Sequence, residues 1–523
     1  EILIMKVEIG ILIFIAGCTV ALKTCIQRVT PGKGPRIECV CNSTYCDEVP
    51  PLGTLAPGQA ALYRSSVSGK RFERTDVQFS STSQTSNFKT ISLTLDDVNR
   101  YQSIIGFGAA FTDAAGINLQ NLSPGSQENF LQAYFGNVGI NYQVARVPVA
   151  STDFSLRVYS YNDIPSDFTM INFNLTYEDQ VYKIPFIKRA KEINKDLKLF
   201  STPWSAPGWM KTNGNMVGHG TLIGNPGGEY YQAFAYYYYK FFEAYHQYGI
   251  DFWGLTVLNE PFSNGGWQIM NMTAEMERDF VKMNLGPLLR STNITQDLVI
   301  MIHDDQRTTI RDFAETVLAD PDAARYVGGI AVHYYMDSNS DPHILTDVHN
   351  DHPDKFILPT EACTGYTSAI NGGMQGDWGR ALVYSYDIMT DLQNWATGWT
   401  DWNICLSETG GPNWINNFVD APITISNSSD EFYKQPMYYA LGHFSKFLIP
   451  GSQRVDLIFD NYDPNDYLES VGFVTPNNQR VAVFDNRQNS DAYTIVIKDK
   501  QSGKIVQFDM EPRSYATIIW NNP

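Results

Sequence analysis

Positive charge is scarce in this sequence of 523 residues. It holds 38 Lys and Arg against 56 Asp and Glu, which gives a formal net charge of −18 at pH 7. Nucleic-acid binding depends on clustered cations that neutralise phosphates, so the composition argues against a nucleic-acid partner. The acidic balance instead suits work at mildly acidic pH, where carboxylates begin to take up protons.

Long apolar runs are equally scarce. The main one is "VEIGILIFIAGCTVA", residues 7–21, which follows Met5 and Lys6. A short basic start, an apolar stretch and small residues are typical of a secretory signal, and the run is too short for a membrane span. We predict a signal peptide over residues 1–21, cleaved after Ala21, and we expect no transmembrane anchor after it.

The stretch "IAGC" within this signal has an alternative interpretation as a bacterial lipoprotein box, which would place a lipid on Cys18. Sequons for N-glycosylation argue instead for a eukaryotic secretory route. There are six of them, at Asn42, Asn121, Asn174, Asn271, Asn293 and Asn427. We therefore expect a glycoprotein that passes through the secretory pathway.

Cysteine is also rare, with seven in the chain. Four crowd into one short stretch: Cys25, Cys39, Cys41 and Cys46. In a secreted chain this spacing favours two disulfides, for which three connectivities are possible. A zinc cluster is the alternative, but no His lies nearby. Cys363 and Cys405 lie far away in sequence, and we predict that they are free, buried thiols.

The two ends of the chain share one pattern. The stretches "RFERTDVQF" and "FKTISLTLDD" alternate between apolar and polar residues, as half-exposed strands do. Near the C-terminus "RVAVFDN", "AYTIVIKD", "KIVQFDM" and "YATIIW" behave in the same way. We predict an accessory antiparallel β-sandwich built from residues 51–97 and 452–523, preceded by a small disulfide-stapled β segment at 22–50.

The middle of the chain, residues 98–451, alternates apolar runs with helix-sized segments such as "GGEYYQAFAYYYYKFFEAYHQYG" and "IRDFAETVLADPDAARYV". The eight runs are "SIIGFGAA", "YQVARVPVA", "LKLFSTPW", "FWGLTVLNE", "LVIMIHDD", "GIAVHYY", "KFILPTEA" and "ATGWTDWN". Eight strands that are each followed by helix-sized sequence predict an α/β fold, a (β/α)8 TIM barrel. A doubly wound open sheet is the alternative, but no glycine-rich phosphate loop follows the first strand.

Carboxylates end two of these strands. The run "LTVLNEPF" ends on Glu260 before Pro261, which cannot continue the ladder of a strand, and "KFILPTEA" ends on Glu361. Either acid alone would be read as an ordinary turn residue. TIM-barrel active sites gather at the C-terminal ends of the strands, so the two glutamates face one mouth. A pair of carboxylates in one site is typical of glycosidic bond hydrolysis, in which one protonates the leaving oxygen while the other attacks or activates water.

Neighbouring residues fit a sugar site. Asn259 is placed to hold the hydroxyl beside the anomeric carbon, Trp204 and Trp402 to stack on a sugar face, and Asp153 to bind outer hydroxyls. Taken singly, each has a structural explanation, as packing for a tryptophan or as a helix N-cap for the aspartate. Their joint occurrence at strand ends favours sugar binding.

Several stretches resemble the glucosylceramidase-type enzymes of glycoside hydrolase family 30. They are "RVPVASTDFS", "TPWSAPGWMKTNG", "NEP", "PTEAC", "GWTDWN", "GGPNW", "NFVDAPI" and "FYKQPM", and the likeness runs from Cys25 nearly to the C-terminus. The resemblance implies a retaining β-glucosidase that cleaves glucosylceramide by double displacement, with Glu260 as acid/base and Glu361 as nucleophile. It implies that Tyr335 lies close to the nucleophile and that five residues hold the glucose: Asp153, Trp204, Asn259, Trp402 and Asn417.

The resemblance also implies a setting for this enzyme. The disulfides would be Cys25–Cys39 and Cys41–Cys46. The enzyme would be located in the lysosome. The partners would be glucosylceramide at a membrane surface, a saposin-type activator protein and anionic lipid. No cofactor and no metal are implied.

Three alternatives remain open at this point. A related β-glycosidase would cleave xylosides or soluble β-glucans; a lipid-facing mouth would instead need exposed apolar side chains, for which Trp267, Ile269 and Met270 are candidates. A sugar-binding pseudoenzyme would lack turnover, although both glutamates are present. A metal hydrolase could be built on "HDDQ", but we interpret His303, Asp304 and Asp305 as a charge network under the mouth, because no further His lies at ligand spacing.

Overall fold

A computed structural model of the chain describes residues 22–30, 35–367 and 371–521. The strands are β1 (Gln27–Val29), β2 (Ile37–Asn42), β3 (Gln59–Ser66), β4 (Glu73–Gln78), β5 (Lys89–Asp96), β6 (Gly106–Ala110), β7 (Val144–Val149), β8 (Lys198–Pro203), β9 (Gly254–Thr256), β10 (Val299–Gln306), β11 (Val327–His333), β12 (Phe356–Glu361), β13 (Gly398–Asn403), β14 (Leu406–Ser407), β15 (Ile423–Ile425), β16 (Glu431–Lys434), β17 (Gln453–Phe459), β18 (Leu468–Val474), β19 (Arg480–Asn486), β20 (Tyr493–Asp499), β21 (Ile505–Met510) and β22 (Ser514–Trp520). The predicted signal peptide, 1–21, lies outside the described residues.

The helices lie mostly between the central strands. They are α1 (Asp113–Gln120), α2 (Pro124–Phe135), α3 (Ile184–Ile193), α4 (Glu229–Gln247), α5 (Ala274–Phe280), α6 (Gly286–Arg290), α7 (Ile310–Leu318), α8 (Pro321–Ala324), α9 (His343–Asp351), α10 (Trp378–Gln393) and α11 (Pro436–Ser445). The segment 310–327, predicted as one helical stretch, forms two helices. Asp320 caps the second one and Pro321 starts it, which ends the first.

Eight parallel strands form the barrel, in the order β12-β11-β10-β9-β8-β7-β6-β13. Each corresponds to one of the eight predicted apolar runs. The ring closes between β12 and β13, where Thr397 N–H donates to Ile357 O at 2.9 Å and Trp402 N–H donates to Ala362 O at 2.7 Å. All six residues of β7 are buried, because helices cover the outside of a parallel barrel and side chains fill its inside. The predicted TIM barrel is confirmed.

The longest helix shows why the outer layer packs. In α4 the buried aromatic residues recur at helical spacing, three or four residues apart, so that they form one face. They include Tyr231, Phe234, Tyr238, Phe241 and Tyr245. That face lies in the same apolar core as the barrel strands, so burial of aromatic area holds the helix against the barrel.

Nine antiparallel and mixed strands from both ends of the chain form the predicted sandwich, in the order β21-β20-β5-β17-β18-β19-β22-β3-β4. Strand β17 pairs with β18 through residues 453–455 and with β5 through residues 456–459, so it connects the two leaves. The leaves enclose a separate apolar core that includes Leu62, Ile91, Phe484 and Ile518. The sandwich is therefore confirmed; its boundaries at 51–97 and 452–523 stay a prediction.

The N-terminal segment carries both disulfides, Cys25–Cys39 and Cys41–Cys46, while Cys363 and Cys405 are free and buried. Strand β2 pairs with β16, which attaches this segment to the chain that follows the last barrel strand. The predicted disulfide-stapled β segment is thus part of a five-stranded sheet, β1-β2-β16-β15-β14. Among the described residues, every helix is too short or too polar to cross a bilayer.

Candidate active site

A cavity of about 790 Å³ opens at the C-terminal ends of the barrel strands. The sequence-predicted site residues come from separate strand ends and loops, and the barrel brings them all to its wall: Asp153, Trp204, Asn259, Glu260, Tyr335, Glu361, Trp402 and Asn417. Parallel strands that end on one side of the barrel produce this convergence.

Glu260 lies four residues beyond the end of β9, in a backbone conformation with φ of 43°. Its N–H donates to Asp304 O at 2.9 Å, and Pro261, which has no N–H, ends the ladder directly after it. The carboxylate is fixed through one oxygen, Oε1, which accepts from Gln306 Nε2 at 2.9 Å and faces His333 Nδ1 at 3.1 Å. The side chain is 13% exposed, so solvent reaches it.

Glu361 ends β12 and is more deeply buried, with 7% of its side chain exposed. The Tyr335 hydroxyl donates to its Oε1 at 2.7 Å, and the Arg146 guanidinium donates to its Oε2. Burial raises the pKa of Glu361 above its ordinary value, while the charges of His333 and Arg146 oppose that rise. Glu361 is therefore a carboxylate that depends on two cations to stay ionised.

A buried charge network lies beneath the two glutamates. Arg146 donates to Asp304 Oδ2 at 2.7 Å and to Asn259 Oδ1 at 2.9 Å, and His333 Nε2 lies 3.2 Å from Asp304 Oδ1. Burial alone would raise the pKa of Asp304, but Arg146 and His333 hold it well below its usual range. Burial alone would lower the pKa of His333, but Glu361 and Asp304 raise it to about 10. The network thus supplies two cations to the site.

The end of β10 is irregular where it presents this network. His303 and Asp304 have positive φ values, 77° and 52°, and the pairing with β11 shifts register between His303 and Asp305. Asp305 accepts the N–H groups of Phe262 and Gln306 at 2.9 and 2.7 Å. The bulge turns Asp304 toward Arg146, so Asp304 belongs to the charge network expected from the sequence. His303 does not, because its ring nitrogens lie 2.9 Å from Ala331 O and from the Thr309 hydroxyl.

The two glutamates approach each other closely. One carboxylate oxygen of Glu260, one of Glu361 and a ring nitrogen of His333 all lie within 4.8 Å of one another. A separation of this size places both carboxylates on a single bond of a bound substrate.

Trp204 and Trp402 form a stacked pair, with ring centroids 4.9 Å apart and planes at 20°. The Arg146 guanidinium lies 4.8 Å from the Trp204 ring and 5.5 Å from the Trp402 ring. Because one face of each ring packs on the other ring, a sugar can meet only the remaining surface of the pair.

Asp153 and Asn417 form a second polar group in the cavity wall, where Asn417 Nδ2 donates to Asp153 Oδ2 at 2.9 Å. Burial, with the nearby charge of Glu361, raises the pKa of Asp153 to about 7. Asp153 is therefore a neutral carboxyl group at mildly acidic pH and can donate a hydrogen bond as well as accept one.

Apolar side chains surround the mouth of the cavity. Phe262, Met336 and Tyr366 line it and are exposed. Trp267 lines it and is half-buried. The expectation that Ile269 and Met270 face a lipid is wrong, since both side chains are buried. Their segment packs on the neighbouring loop, where the Ile269 N–H donates to Met216 O at 3.2 Å.

The sequence patterns described above do not indicate three residues of the site: Arg146, His333 and Gln306. Arg146 and His333 each stand as a polar residue inside an apolar strand run, and this signal could have identified them. Gln306 carries no comparable signal, since it follows three polar residues at the end of β10.

Comparison with known proteins agrees with this geometry. Residues 104–448 match the glycosyl hydrolase family 30 TIM-barrel domain, and residues 451–518 match the family's β-sandwich domain. The lysosomal acid glucosylceramidase of Mus musculus is 42% identical over 473 residues, which cover 89% of this chain and 90% of the mouse protein. The endo-1,6-β-D-glucanase BGN16.3 of Trichoderma harzianum is 29% identical over 422 residues, which cover 77% and 82%.

Among solved structures, SrfJ from Salmonella typhimurium superposes with a TM-score of 0.80 at 29% sequence identity, covering 89% of this chain and 100% of SrfJ. The family match covers both the barrel with its paired glutamates and the sandwich. The chain is therefore a glycoside hydrolase of family 30, a family of retaining glycosidases.

Proposed function

We propose that this enzyme hydrolyses the β-glucosidic bond of glucosylceramide, releasing glucose and ceramide with retention at the anomeric carbon. The observation that carries this proposal is the close approach of Glu260 and Glu361, within 4.8 Å, in a cavity with an apolar mouth. The mouse relative, a lysosomal acid glucosylceramidase 42% identical to this chain, supports the choice of substrate.

The separation of the two carboxylates favours double displacement. Retaining glycosidases hold their carboxyl groups about 5–5.5 Å apart, whereas inverting ones need about 6.5–9.5 Å to admit a water molecule. One oxygen of Glu260 lies within 4.8 Å of one oxygen of Glu361, which fits the shorter spacing better than the longer one. One of the two glutamates attacks the anomeric carbon, and water later cleaves the resulting ester.

Glu361 is the nucleophile in this proposal. Its carboxylate is held on both oxygens, by Tyr335 and by Arg146, so the attacking oxygen is fixed in place. Its charge is also matched by the cations of the network, and these favour the ionised form that attack requires. When the ester forms, the negative charge on Glu361 is lost and the glucosyl group occupies one oxygen.

Glu260 is the acid/base. Arg146 pairs with Asp304 and Glu361 and not with Glu260, whose cationic neighbour is His333, 3.1 Å from Oε1. It donates a proton to the glycosidic oxygen as ceramide leaves and then takes a proton from the attacking water. Its partial exposure lets it exchange protons with solvent between turnovers.

The glucose is held by the remaining cavity residues. Arg146 occupies Oδ1 of Asn259, which leaves the Asn259 N–H groups to donate to the hydroxyl beside the anomeric carbon. Asp153 and Asn417 bind outer hydroxyls as a pair, and Trp204 with Trp402 provides an aromatic wall.

The setting of the enzyme follows from the apolar rim of the cavity and from the mouse relative. The exposed apolar rim of Phe262, Met336 and Tyr366 suits a lipid aglycone that enters from a membrane surface. We place the enzyme in the lysosome as a glycoprotein, with a saposin-type activator and anionic lipid presenting the substrate. The mouse relative and the acidic composition support that location.

A substrate panel tests the proposal. Purified enzyme at pH 5 should release glucose from glucosylceramide dispersed in bile salt. It should act far more slowly on a β-xyloside and on soluble β-1,6-glucan, the substrate class named for the fungal relative. Faster turnover of either soluble substrate would overturn the choice of glucosylceramide while leaving the chemistry intact.

A further inference from the structure

Gln306 is the last residue of β10 and lines the active-site cavity beside Glu260. Its Nε2 donates to Glu260 Oε1 at 2.9 Å. Its own Oε1 is buried and has no hydrogen-bond partner among the described residues. A buried amide oxygen left unpaired costs free energy, so packing alone does not explain this side chain. Within the described ranges, the bond to Glu260 is the one hydrogen bond that the side-chain amide makes.

The bonds to Glu260 are one-sided. Gln306 and His333 both meet Oε1, and in the described part of the chain no hydrogen bond reaches Oε2. An oxygen that accepts two hydrogen bonds is the poorer place for a proton. Oε2 is therefore the oxygen that carries the acid proton, and it is free to meet the leaving group in the cavity.

The backbone holds Gln306 in register with Glu260. Asp305 accepts the N–H of Gln306 at 2.7 Å through one oxygen and the N–H of Phe262, two residues after Glu260, at 2.9 Å through the other. The Thr309 hydroxyl donates to Gln306 O at 3.1 Å. The two residues that meet at the carboxylate are thus tied together by one buried side chain.

We propose that Gln306 is a positioning residue for the acid/base: its amide holds Oε1 of Glu260 so that Oε2 delivers the proton to the departing oxygen. The inference rests on the proposed role of Glu260. It predicts that replacing Gln306 lowers kcat/KM most for substrates whose leaving group needs a proton, because a leaving group of low pKa departs without an acid.

The test compares two substrates by kcat/KM, which reports the first chemical step. For Gln306→Ala, hydrolysis of an alkyl β-glucoside should fall roughly 10- to 100-fold, and that of 2,4-dinitrophenyl β-glucoside should stay within about threefold of wild type. Gln306→Glu has the same shape but no N–H to donate, so it should lose at least as much. Gln120→Ala, at an exposed glutamine on α1, should leave both substrates unchanged.

Glu260→Gln and the double variant separate the inference from the proposed function. Gln306→Ala should cost little more once Glu260 is already Gln, since the two residues act as one unit. An equal loss on both substrates in Gln306→Ala, or wild-type activity in Gln306→Glu, would overturn the positioning role. If Glu260→Gln itself showed no leaving-group dependence, the proposed acid/base would be wrong instead.

Discussion

Arg146 and Asp304 form an ion pair at 2.7 Å in which both side chains are completely withdrawn from solvent. The same guanidinium holds the carboxylate of Glu361 and the amide oxygen of Asn259. A single buried cation therefore orients the proposed nucleophile and one of the proposed sugar-binding groups. Asp304 fixes that cation from below, with Thr256 and Thr360 donating to its carboxylate at 2.8 and 2.6 Å.

Removing the charge of Asp304 should damage both stability and activity. Asp304→Asn leaves Arg146 without its main counter-charge, and breaking one side of a buried pair costs about 3–5 kcal/mol. Because the pKa of folded Asp304 is depressed, its contribution is fully present at pH 5 and is lost only as pH falls toward that depressed value. Denaturant unfolding at pH 5 measures the loss.

The surface pair between Arg64 and Glu73, at 2.9 Å, provides the control. Glu73→Gln should cost at most about 1 kcal/mol, because an exposed pair is screened by solvent. Similar losses in the free energy of unfolding in Asp304→Asn and Glu73→Gln would mean that burial does not strengthen the Arg146–Asp304 pair.

The pH dependence of hydrolysis should be bell-shaped. Glu361 must be ionised to attack, and burial raises its pKa, so activity is lost on the acid side as pH falls through that raised value. Activity is lost on the alkaline side as Asp153, with a pKa of about 7, becomes an anion beside the nucleophile. We expect the optimum between about pH 4.5 and 6. Measuring kcat/KM on an aryl β-glucoside from pH 3 to 9 checks this; a flat profile through pH 8 would contradict it.

Folding stability should fall between pH 5 and pH 8. Buried carboxyl groups with raised pKa values bind more protons in the folded than in the unfolded chain, so their contribution is lost as pH rises through the folded pKa. Glu277 is the clearest case, since burial raises its pKa to about 8 while it accepts the His303 N–H at 3.0 Å. Thermal unfolding should show a lower Tm at pH 8 than at pH 5. Glu277→Gln keeps the acceptor and should make that difference smaller; an unchanged difference would exclude Glu277 as a cause.

Much of this architecture follows from the sequence, and the exceptions have physical reasons. The eight apolar runs predict the barrel because a parallel strand buried on both faces must be apolar throughout, and a carboxylate at the end of such a strand is conspicuous. The ion pair between Arg146 and Asp304 could not be predicted. The two residues lie on different strands, and their contact depends on the β-bulge at Asp304, which no local sequence pattern indicates. The burial of Ile269 and Met270 is hidden from the sequence for a similar reason. Their loop is covered by residues 216–220, far away in sequence.

Five of the six sequons differ in exposure and should therefore differ in occupancy. Asn121, Asn174, Asn293 and Asn427 are exposed, so a glycan on any of them can extend into solvent. Asn271 is half-buried, and its Nδ2 donates to Pro261 O at 3.3 Å and to Ser263 O at 3.5 Å, in the loop after Glu260. A glycan would replace one of the two Nδ2 hydrogens, so a chain glycosylated there would lose at least one of these bonds and would have to expose the half-buried side chain. Glycopeptide mapping of the secreted, active protein should therefore find glycans among the four exposed sites and no glycan on Asn271. A fully occupied Asn271 in active enzyme would refute the argument.

The roles of the two glutamates should separate under covalent trapping. A 2-deoxy-2-fluoro-β-glucoside with a good leaving group forms a glycosyl ester that breaks down slowly. Peptide mapping should place the added mass on Glu361, in the stretch "FILPTEAC". Glu361→Gln keeps the shape but removes the attacking charge, and every substrate should lose several orders of magnitude in kcat. A label on Glu260 would show that the roles are reversed.

Glu260→Gln should fail in a different way, which distinguishes an acid/base from a second structural carboxylate. Without a proton donor, substrates whose leaving group has a high pKa should slow by roughly 10²–10⁴-fold, while dinitrophenyl glucosides should still form the ester. Breakdown of the ester then becomes limiting, because water has no base to activate it. Azide needs no base, so it should restore turnover and yield a β-glucosyl azide, whose configuration is read by NMR. Rescue of Glu361→Gln by azide should give the α product instead, since azide then takes the place of the nucleophile. An inverted product from the unmodified enzyme would exclude double displacement altogether.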